Sequence, residues 1–255
     1  MGLVETEAIV LRTYKLAEAD KIAVLLTEKA GLVRGVARGA RRLKSKFGAG
    51  LEPHTLAHVS YFEKEGRELV SIRHVEILRS YFGVARDEEA LAVLDYFGEL
   101  VLSFAPPGQG DARLFKMVRA CVDAVASAEV GYEAVSSYFE LWLLRLAGFM
   151  PDLKACGVCG RELGAGGVSV DIQAGSHALC GDCGKGGSAL GPEAFRHLCA
   201  SRVQGPAKWA AEFGGLSAQG RKGLREVGRR LIRGVLEREP AGGRAFTRGG
   251  VRGAA

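Results

Sequence analysis

Four cysteines in two matched pairs carry the clearest chemistry in this sequence. Each pair has the spacing C-x2-C, and a spacer of 20 residues separates the second cysteine of the first pair from the third cysteine. Four thiolates at this spacing can close a tetrahedral shell around one Zn²⁺ ion, which leaves no open position for water or substrate. The sequence therefore predicts one structural, non-catalytic zinc held by Cys156, Cys159, Cys180 and Cys183.

The residues around the cysteines agree with a metal-dependent fold. The segment 154–187 is rich in glycine and has few large apolar side chains, so it cannot build a core of its own. A bound metal can supply the missing folding energy. The alternatives are two disulfides or a redox pair. They are less well supported, because nothing else in the sequence indicates a secreted or redox protein.

The positive charge of the chain is concentrated in two short blocks. The net charge is +6, but residues 29–46 sum to +7 without any acidic residue, and residues 221–255 also sum to +7. Residues 1–28 and 47–220 sum to −2 and −6. Such segregation is typical of a surface that binds a polyanion, for which nucleic acid is the first candidate. The alternative is a solvated charged face without a partner.

The first 80 residues predict a small β-barrel. Short runs rich in Val, Ile and Leu are joined by turns that contain glycine, and they give five strands in about 75 residues. This density favours a five-stranded OB-type barrel, with an SH3-like barrel as the alternative.

The rest of the chain predicts helices around the zinc segment. Apolar residues recur at helical spacing after residue 80, and the fold class is therefore α+β. The predicted domains are an OB barrel, the first part of an all-helical domain, an inserted zinc element, the second part of the helical domain and a disordered tail. Their bounds are 1–80, 81–153, 154–187, 188–239 and 240–255.

Each basic block offers candidate phosphate ligands. In the first block, Arg34 and Arg38 are an even number of residues apart along the third strand, so their side chains lie on the same face of it. The cations that follow lie in the loop after this strand. The candidates are Arg34, Arg38, Arg41, Arg42, Lys44 and Lys46. In the second block, one helix has an apolar stripe and an opposite cationic face that carries Arg225, Arg229 and Arg233. Aromatic residues near the first block can stack on bases. We expect core packing for Tyr61 and Phe62, and Phe47 is open to either role.

Motifs for enzymatic turnover are missing from the sequence. It has no phosphate-binding loop, no dinucleotide fingerprint, no G-x-S-x-G and no H-E-x-x-H. We therefore expect a protein that is not an enzyme. Arg145 interrupts the most apolar run, and Glu5 and Glu7 precede the first apolar stretch with the wrong polarity for a secretion signal. We expect a cytoplasmic, nucleoid-associated protein without a membrane partner.

The order of these parts resembles the RecO family of bacterial recombination mediators. The resemblance covers residues 4–183 and includes ETEAIVLR at residues 5–12, ARGARRLKSKF at 37–47 and LAGFMPDL at 146–153, just before the first cysteine pair. The basic stretch is similar to the family motif G-x-R-x-x-K-S-[KR]-[FL]. The C-terminal segment 243–248 departs from the family's short K-S-R-x-[FL] ending.

This resemblance implies a DNA-repair mediator without catalysis. Such a protein binds single- and double-stranded DNA, anneals complementary strands and helps to load the recombinase RecA onto strands covered by single-strand-binding protein (SSB). It implies RecR and the acidic C-terminal tail of SSB as partners. Three other readings stay open from the residues alone: an OB and zinc-ribbon protein that binds RNA, an enzyme with an unrecognised site, and an adaptor whose cationic helix binds acidic protein tails.

Overall fold

The computed structural model describes residues 2–64, 66–164, 167–171, 177–184 and 188–241. The chain forms two compact units, one up to Val122 and one from Asp123 onwards. The domain bounds inferred from the sequence stay a prediction. The predicted disordered tail lies outside the described residues from position 242 on.

The first unit contains a closed five-stranded barrel, which confirms the predicted OB-type fold. The strands follow one another around the barrel in the order β1-β2-β3-β5-β4, and β4 pairs with β1 to close it. Every pairing is antiparallel except the parallel one between β3 and β5. The strands are β1 Gly2–Leu16, β2 Asp20–Thr27, β3 Gly31–Ala37, β4 Leu56–Glu63 and β5 Leu69–Arg79.

Alternating residues fill the barrel interior. Along β3, Val33, Gly35 and Ala37 are buried while Arg34 is exposed, as expected for a strand with one face in a core. Tyr61 is fully buried, which confirms its predicted core role. Phe47 is only 3% exposed and packs in the same core, although it comes from the loop after β3.

Helices α1 (Glu88–Phe104) and α2 (Ala112–Ser127) follow a short 3-10 helix at Phe82–Arg86. The backbone that joins them packs tightly on the β2–β3 turn. Gly108 N donates to Leu32 O, and an added Cβ at Gly110 would lie only 2.1 Å from Lys29 O. The contact is backbone against backbone, so it requires residues without side chains at the point of approach.

Substitution of Gly31 should show how much this backbone packing contributes to the free energy of unfolding. Its φ is +63°, and a Cβ there would lie 2.1 Å from Gln109 O. Gly31→Ala should lower the free energy of unfolding by about 3 kcal/mol, because left-handed strain adds to overpacking. Gly48→Ala is the matched control, since Gly48 has φ +50° and open space around it, and should cost only about 1 kcal/mol. Equal losses in urea denaturation would contradict the tight contact.

The second unit contains helices and a small sheet. Strands β6 (Val168–Asp171), β7 (His177–Cys180) and β8 (Ser188–Leu190) form an antiparallel sheet in the order β7-β6-β8. Its helices are α3 Tyr132–Leu146, α4 Pro192–Ala200, α5 Pro206–Phe213 and α6 Ala218–Leu236. Apart from α5, these helices agree with the helical spacing predicted around the zinc segment, whereas the three strands of the small sheet were not predicted. Within the described ranges, every helix is too short or too polar to cross a lipid bilayer.

An aromatic cluster forms part of the core of this unit. Trp209 of α5 is fully buried, and its ring stacks on His197 of α4 with a centroid distance of 4.2 Å. The Trp209 indole donates to His197 O, and Tyr138 of α3 donates to Gln204 O at 2.7 Å. These bonds satisfy the polar ends of the two aromatic side chains where they leave water.

The buried histidine of this cluster should make the stability depend on pH. Burial lowers the pKa of His197 below 6.5, while Glu212 and Glu193 oppose that shift. The unfolded state then binds more protons, so the stabilisation is present above pH 6.5 and is lost as pH falls through the folded-state pKa.

We expect the free energy of unfolding to fall below pH 6.5, by at most about 1.4 kcal/mol per pH unit from this residue. His197→Phe should flatten the profile measured by urea denaturation. Burial also lowers the pKa of His54, so some dependence remains in the variant. His74→Gln, at an exposed position outside this cluster, is the control for loss of a histidine as such. Identical profiles for His197→Phe and the unsubstituted protein would contradict the assignment.

Candidate nucleic-acid interface and metal centre

The basic loop, residues 38–46, leaves the barrel at the end of β3 as a series of tight turns. Arg42 N donates to Gly39 O at 3.1 Å, and Ser45 N donates to Arg42 O at 3.0 Å. At the far end, Phe47 is buried in the barrel core. The loop is therefore anchored at both ends and has internal hydrogen bonds along its length.

Hydrogen bonds also fix the base of the basic loop to the β1–β2 turn, residues 17–19. Gly39 N donates to the Asp20 carboxylate at 2.7 Å. Arg41 donates from its backbone N–H to this turn at 2.9 Å, and its guanidinium donates to two carbonyls there at 2.8 and 2.9 Å. Arg41 therefore positions the loop, in addition to contributing charge. Asp20 also has this structural role, which its sequence neighbourhood did not reveal.

The predicted cations of the first block are presented to solvent. All six are exposed, and no carboxylate within the described part of the chain forms an ion pair with any of them. Arg34 lies on the outer face of β3, Arg38 follows directly after that strand, and the others belong to the basic loop. The outer face of β3 and the basic loop, both positively charged, therefore lie at the same part of the barrel.

Sequence reasoning missed one further cation on this surface. Arg73 is exposed on β5, and its guanidinium lies 5.2 Å from the centre of the Phe62 ring. Strand β5 runs parallel to β3, with Ser71 opposite Val36, so Arg73 continues the outer face beside Arg38. Pairing between strands this far apart in sequence leaves no local signal. Only the known strand order of an OB barrel would have indicated it.

The predicted second cationic face, on α6, is largely paired with carboxylates. Arg225 lies 2.8 Å from Glu133 of α3, and Arg233 lies 3.1 Å from Glu239 just beyond the helix. Arg229 is half-buried and has no ion-pair partner among the residues that the structure describes. The face is therefore less positive than the helical spacing alone suggested. The apolar stripe of α6 is buried as predicted.

The four cysteines meet at one point. Their Sγ atoms all lie within 4.8 Å of one another, and Cys159 Sγ is 3.8 Å from Cys180 Sγ. A tetrahedral Zn²⁺ with Zn–S bonds of about 2.3 Å requires S···S separations of about 3.8 Å. The four thiols are therefore spaced closely enough to hold this ion with little movement.

Both cysteine turns have the same backbone design, Cys-x-x-Cys-Gly. Gly160 N donates to Cys156 O, and Gly184 N donates to Cys180 O, each at 2.9 Å. Gly160 has φ +70°, a conformation that favours glycine. An ion pair between Arg161 and Asp182 links the two turns on their exposed side. The pattern anticipated from the sequence thus arises from two equivalent turns brought together by the sheet.

The electrostatics of the four sulfurs favour a bound cation. Backbone N–H groups of Cys159, Cys180 and Val158 lower the pKa of Cys156 to about 6, so its thiolate is accessible near neutral pH. Hydrogen bonding to Cys159 and Cys180, followed by burial, raises the pKa of Cys183 to about 12. Four adjacent thiolates repel one another unless a cation lies between them, and a divalent metal removes that repulsion.

Comparisons with known proteins point to one family. Residues 1–81 match the family model described as Recombination protein O N terminal, and residues 85–240 match the one described as Recombination protein O C terminal. The chain is 33% identical over 255 residues to the DNA repair protein RecO of Rubrobacter xylanophilus, with 99% of each chain covered.

Two further relatives carry the same name. The chain is 35% identical over 196 residues to DNA repair protein RecO of Geobacter metallireducens, which covers 76% of this chain and 78% of the relative. It is 35% identical over 161 residues to DNA repair protein RecO of Koribacter versatilis, covering 63% and 65%. Because the two family models together match nearly the whole chain, it belongs to the RecO family.

Proposed function

We propose that this protein acts in DNA repair and recombination as a mediator that binds DNA without catalytic turnover. The exposed cations of the barrel bind the phosphate backbone of a DNA strand. The sequence contains no motif for the recognition of individual bases. Binding is therefore indifferent to sequence and depends on salt. The names of the relatives, each a DNA repair protein, support this role.

The observation that carries the proposal is the unneutralised charge of the barrel surface. In the described structure, Arg34, Arg38, Arg42, Lys44 and Lys46 have no ion pair, although the chain contains 29 acidic residues. Self-repulsion among neighbouring cations is unfavourable for the isolated protein. A polyanion would relieve it, and the hydrogen bonds of the basic loop leave little of its backbone to order on binding.

Strand annealing and recombinase loading belong to the same proposal. Two DNA strands repel each other, and a protein that neutralises the phosphates of one strand lowers that barrier for the other. Arg229, with weaker contributions from the paired Arg225 and Arg233, supplies a second cationic surface for double-stranded DNA or for a second strand. Loading of RecA onto SSB-coated DNA would use RecR and the acidic SSB tail as partners, in the cytoplasm at the nucleoid.

The proposed role of the metal is structural. Cys156, Cys159, Cys180 and Cys183 would hold one Zn²⁺ that cross-links the two cysteine turns, and four protein ligands leave no position for a substrate. The small sheet next to the metal packs on α6, where an added Cβ at Gly223 would lie 3.0 Å from Leu190 Cδ2. The zinc would therefore stabilise the helical part of the second unit.

A strand-annealing assay tests the proposal directly. Complementary oligonucleotides, one with a fluorophore and one with a quencher, should anneal faster with the protein than without it, and also when SSB coats both strands. Annealing at the spontaneous rate would contradict the proposal. A parallel competition with RNA of the same sequence separates the alternative, because an RNA-binding protein would prefer the RNA competitor.

A further inference from the structure

We propose that Leu43, at the tip of the basic loop, contacts unstacked bases of single-stranded DNA and thereby adds a preference for single strands to the phosphate contacts around it. This inference rests on the proposed function and deepens it. The relative exposure of Leu43 is 102%, the largest of the exposed large apolar side chains in the described residues. Its neighbours Arg42 and Lys44 are also exposed.

The three aromatic residues that the sequence indicated for stacking near the basic block do not offer a free face. Phe47 is 3% exposed and Tyr61 is fully buried, so both belong to the barrel core. Phe62 is partly buried, and the Arg73 guanidinium lies over its ring. Among the described residues of the basic loop, Leu43 is then the one large apolar side chain available to a base.

The position of Leu43 is defined by the structure of the loop. One turn hydrogen bond, from Arg42 N to Gly39 O, closes just before Leu43, and a second, from Ser45 N to Arg42 O, encloses it. The guanidinium of Arg41 and the carboxylate of Asp20 fix the base of the loop to the barrel. Because the backbone of such an anchored loop is already ordered, contact with a ligand costs mainly the rotamer entropy of the side chain.

Single-stranded DNA is the ligand that suits Leu43, because its bases are accessible to an apolar side chain. Cations on both sides of Leu43 would hold consecutive phosphates, and the side chain between them then faces the bases that those phosphates connect. In single-stranded DNA, these bases expose apolar faces to protein side chains. In a duplex they are stacked and paired, so an apolar wedge must first unstack them, which costs free energy. Leu43 should therefore strengthen binding to single strands more than to duplexes.

The first experiment compares Leu43→Ala with Arg42→Ala in the full-length protein, using a single-stranded oligothymidylate of about 20 nucleotides. Leu43→Ala should weaken binding by about five-fold, as expected when roughly half of a leucine side chain leaves water. It should leave the slope of log K against log salt unchanged. Arg42→Ala should make that slope shallower by about 0.7, because one phosphate contact is lost.

A second experiment detects the base contact itself. Leu43→Trp should show quenched fluorescence with the oligothymidylate. It should not show it with an abasic oligonucleotide of equal length or with heparin, which offer negative charge without bases. Val203→Trp, at an 88% exposed position, is the control and should respond to none of them. The unsubstituted protein gives the background of the buried Trp209 and of Trp142.

The outcomes separate the two proposals. If the unsubstituted protein fails to bind oligothymidylate, the proposed function and this inference are both overturned. If it binds, but Leu43→Ala binds equally well and Leu43→Trp stays unquenched, only the role of Leu43 is overturned. Equal quenching by heparin would also overturn it, since the signal would then report charge and not bases.

Discussion

Replacing Cys159 with serine should abolish binding of the proposed zinc ion and unfold the two cysteine turns. Serine is a much poorer zinc ligand than a thiolate, and the remaining three sulfurs cannot complete the tetrahedron. Structural zinc contributes on the order of 10 kcal/mol of folding free energy in small zinc domains, so a variant that no longer holds the ion should lose the folded state of these turns. The effect should reach α6, on which Leu190 of the small sheet packs.

Three measurements check this expectation. Elemental analysis should give one zinc per chain before substitution and less than about 0.1 afterwards, since the affinity depends on the full ligand set. Protease cleavage within residues 154–190 should increase, and urea denaturation should show the loss of stability. Cys199→Ser is the matched control, because Cys199 is half-buried and lies outside the four-thiol cluster. Full zinc content in Cys159→Ser would contradict the assigned ligands.

The Cys159→Ser variant also separates the proposed metal site from the proposed DNA-binding surface. The basic loop and the barrel belong to the first compact unit, and the four cysteines belong to the second. We therefore expect Cys159→Ser to bind single-stranded DNA within about three-fold of the unsubstituted protein, the ordinary size of an indirect effect. Complete loss of DNA binding by a still folded variant would mean that the zinc element itself contacts DNA.

Replacing Arg42, Lys44 and Lys46 together with glutamine should weaken single-stranded DNA binding by about 500-fold at about 0.05 M salt. Each phosphate contact on a single strand contributes about 0.7 to the slope of log K against log salt, which at this salt corresponds to about eight-fold in affinity. Arg41 is left unchanged because its guanidinium anchors the loop to the β1–β2 turn. Its replacement would therefore mix lost charge with lost loop structure.

The matched control removes the same charge elsewhere. Lys154, Arg196 and Lys208 are exposed residues of the second unit, so changing all three to glutamine lowers the net charge equally without touching the barrel. This control should lose less than about five-fold, the screened effect of distant charges. Equal losses in the two triple variants would show that overall charge governs binding, and the barrel would have no special role.

Features set by nearby residues could be predicted from the sequence. The two Cys-x-x-Cys-Gly turns, the β-rich first 80 residues and the apolar stripe of α6 all depend on local spacing, and the structure has them where the spacing places them. Residue parity along β3 likewise identified Arg34 as a solvent-facing cation. Backbone periodicity and turn geometry decide these features before tertiary contacts form.

Features set by distant residues could not be predicted. Arg73 lies on the cationic surface only because β5 pairs with β3 in the barrel. Arg225 forms an ion pair with Glu133, which belongs to another helix. Phe47 lies among charged residues in sequence, yet it packs in the barrel core. Helix α5 was not predicted, although Pro206 at its first position is a signal for the start of a helix.

In the proposed mechanism, exposed, unpaired cations of the barrel bind DNA phosphates. The salt dependence of single-stranded DNA affinity tests it most directly. Between about 0.05 and 0.3 M salt, log K should fall with log salt at a slope near −4, as expected if about six cations contact phosphates. A slope shallower than about −1 would mean that backbone phosphates contribute little, and it would contradict this mechanism.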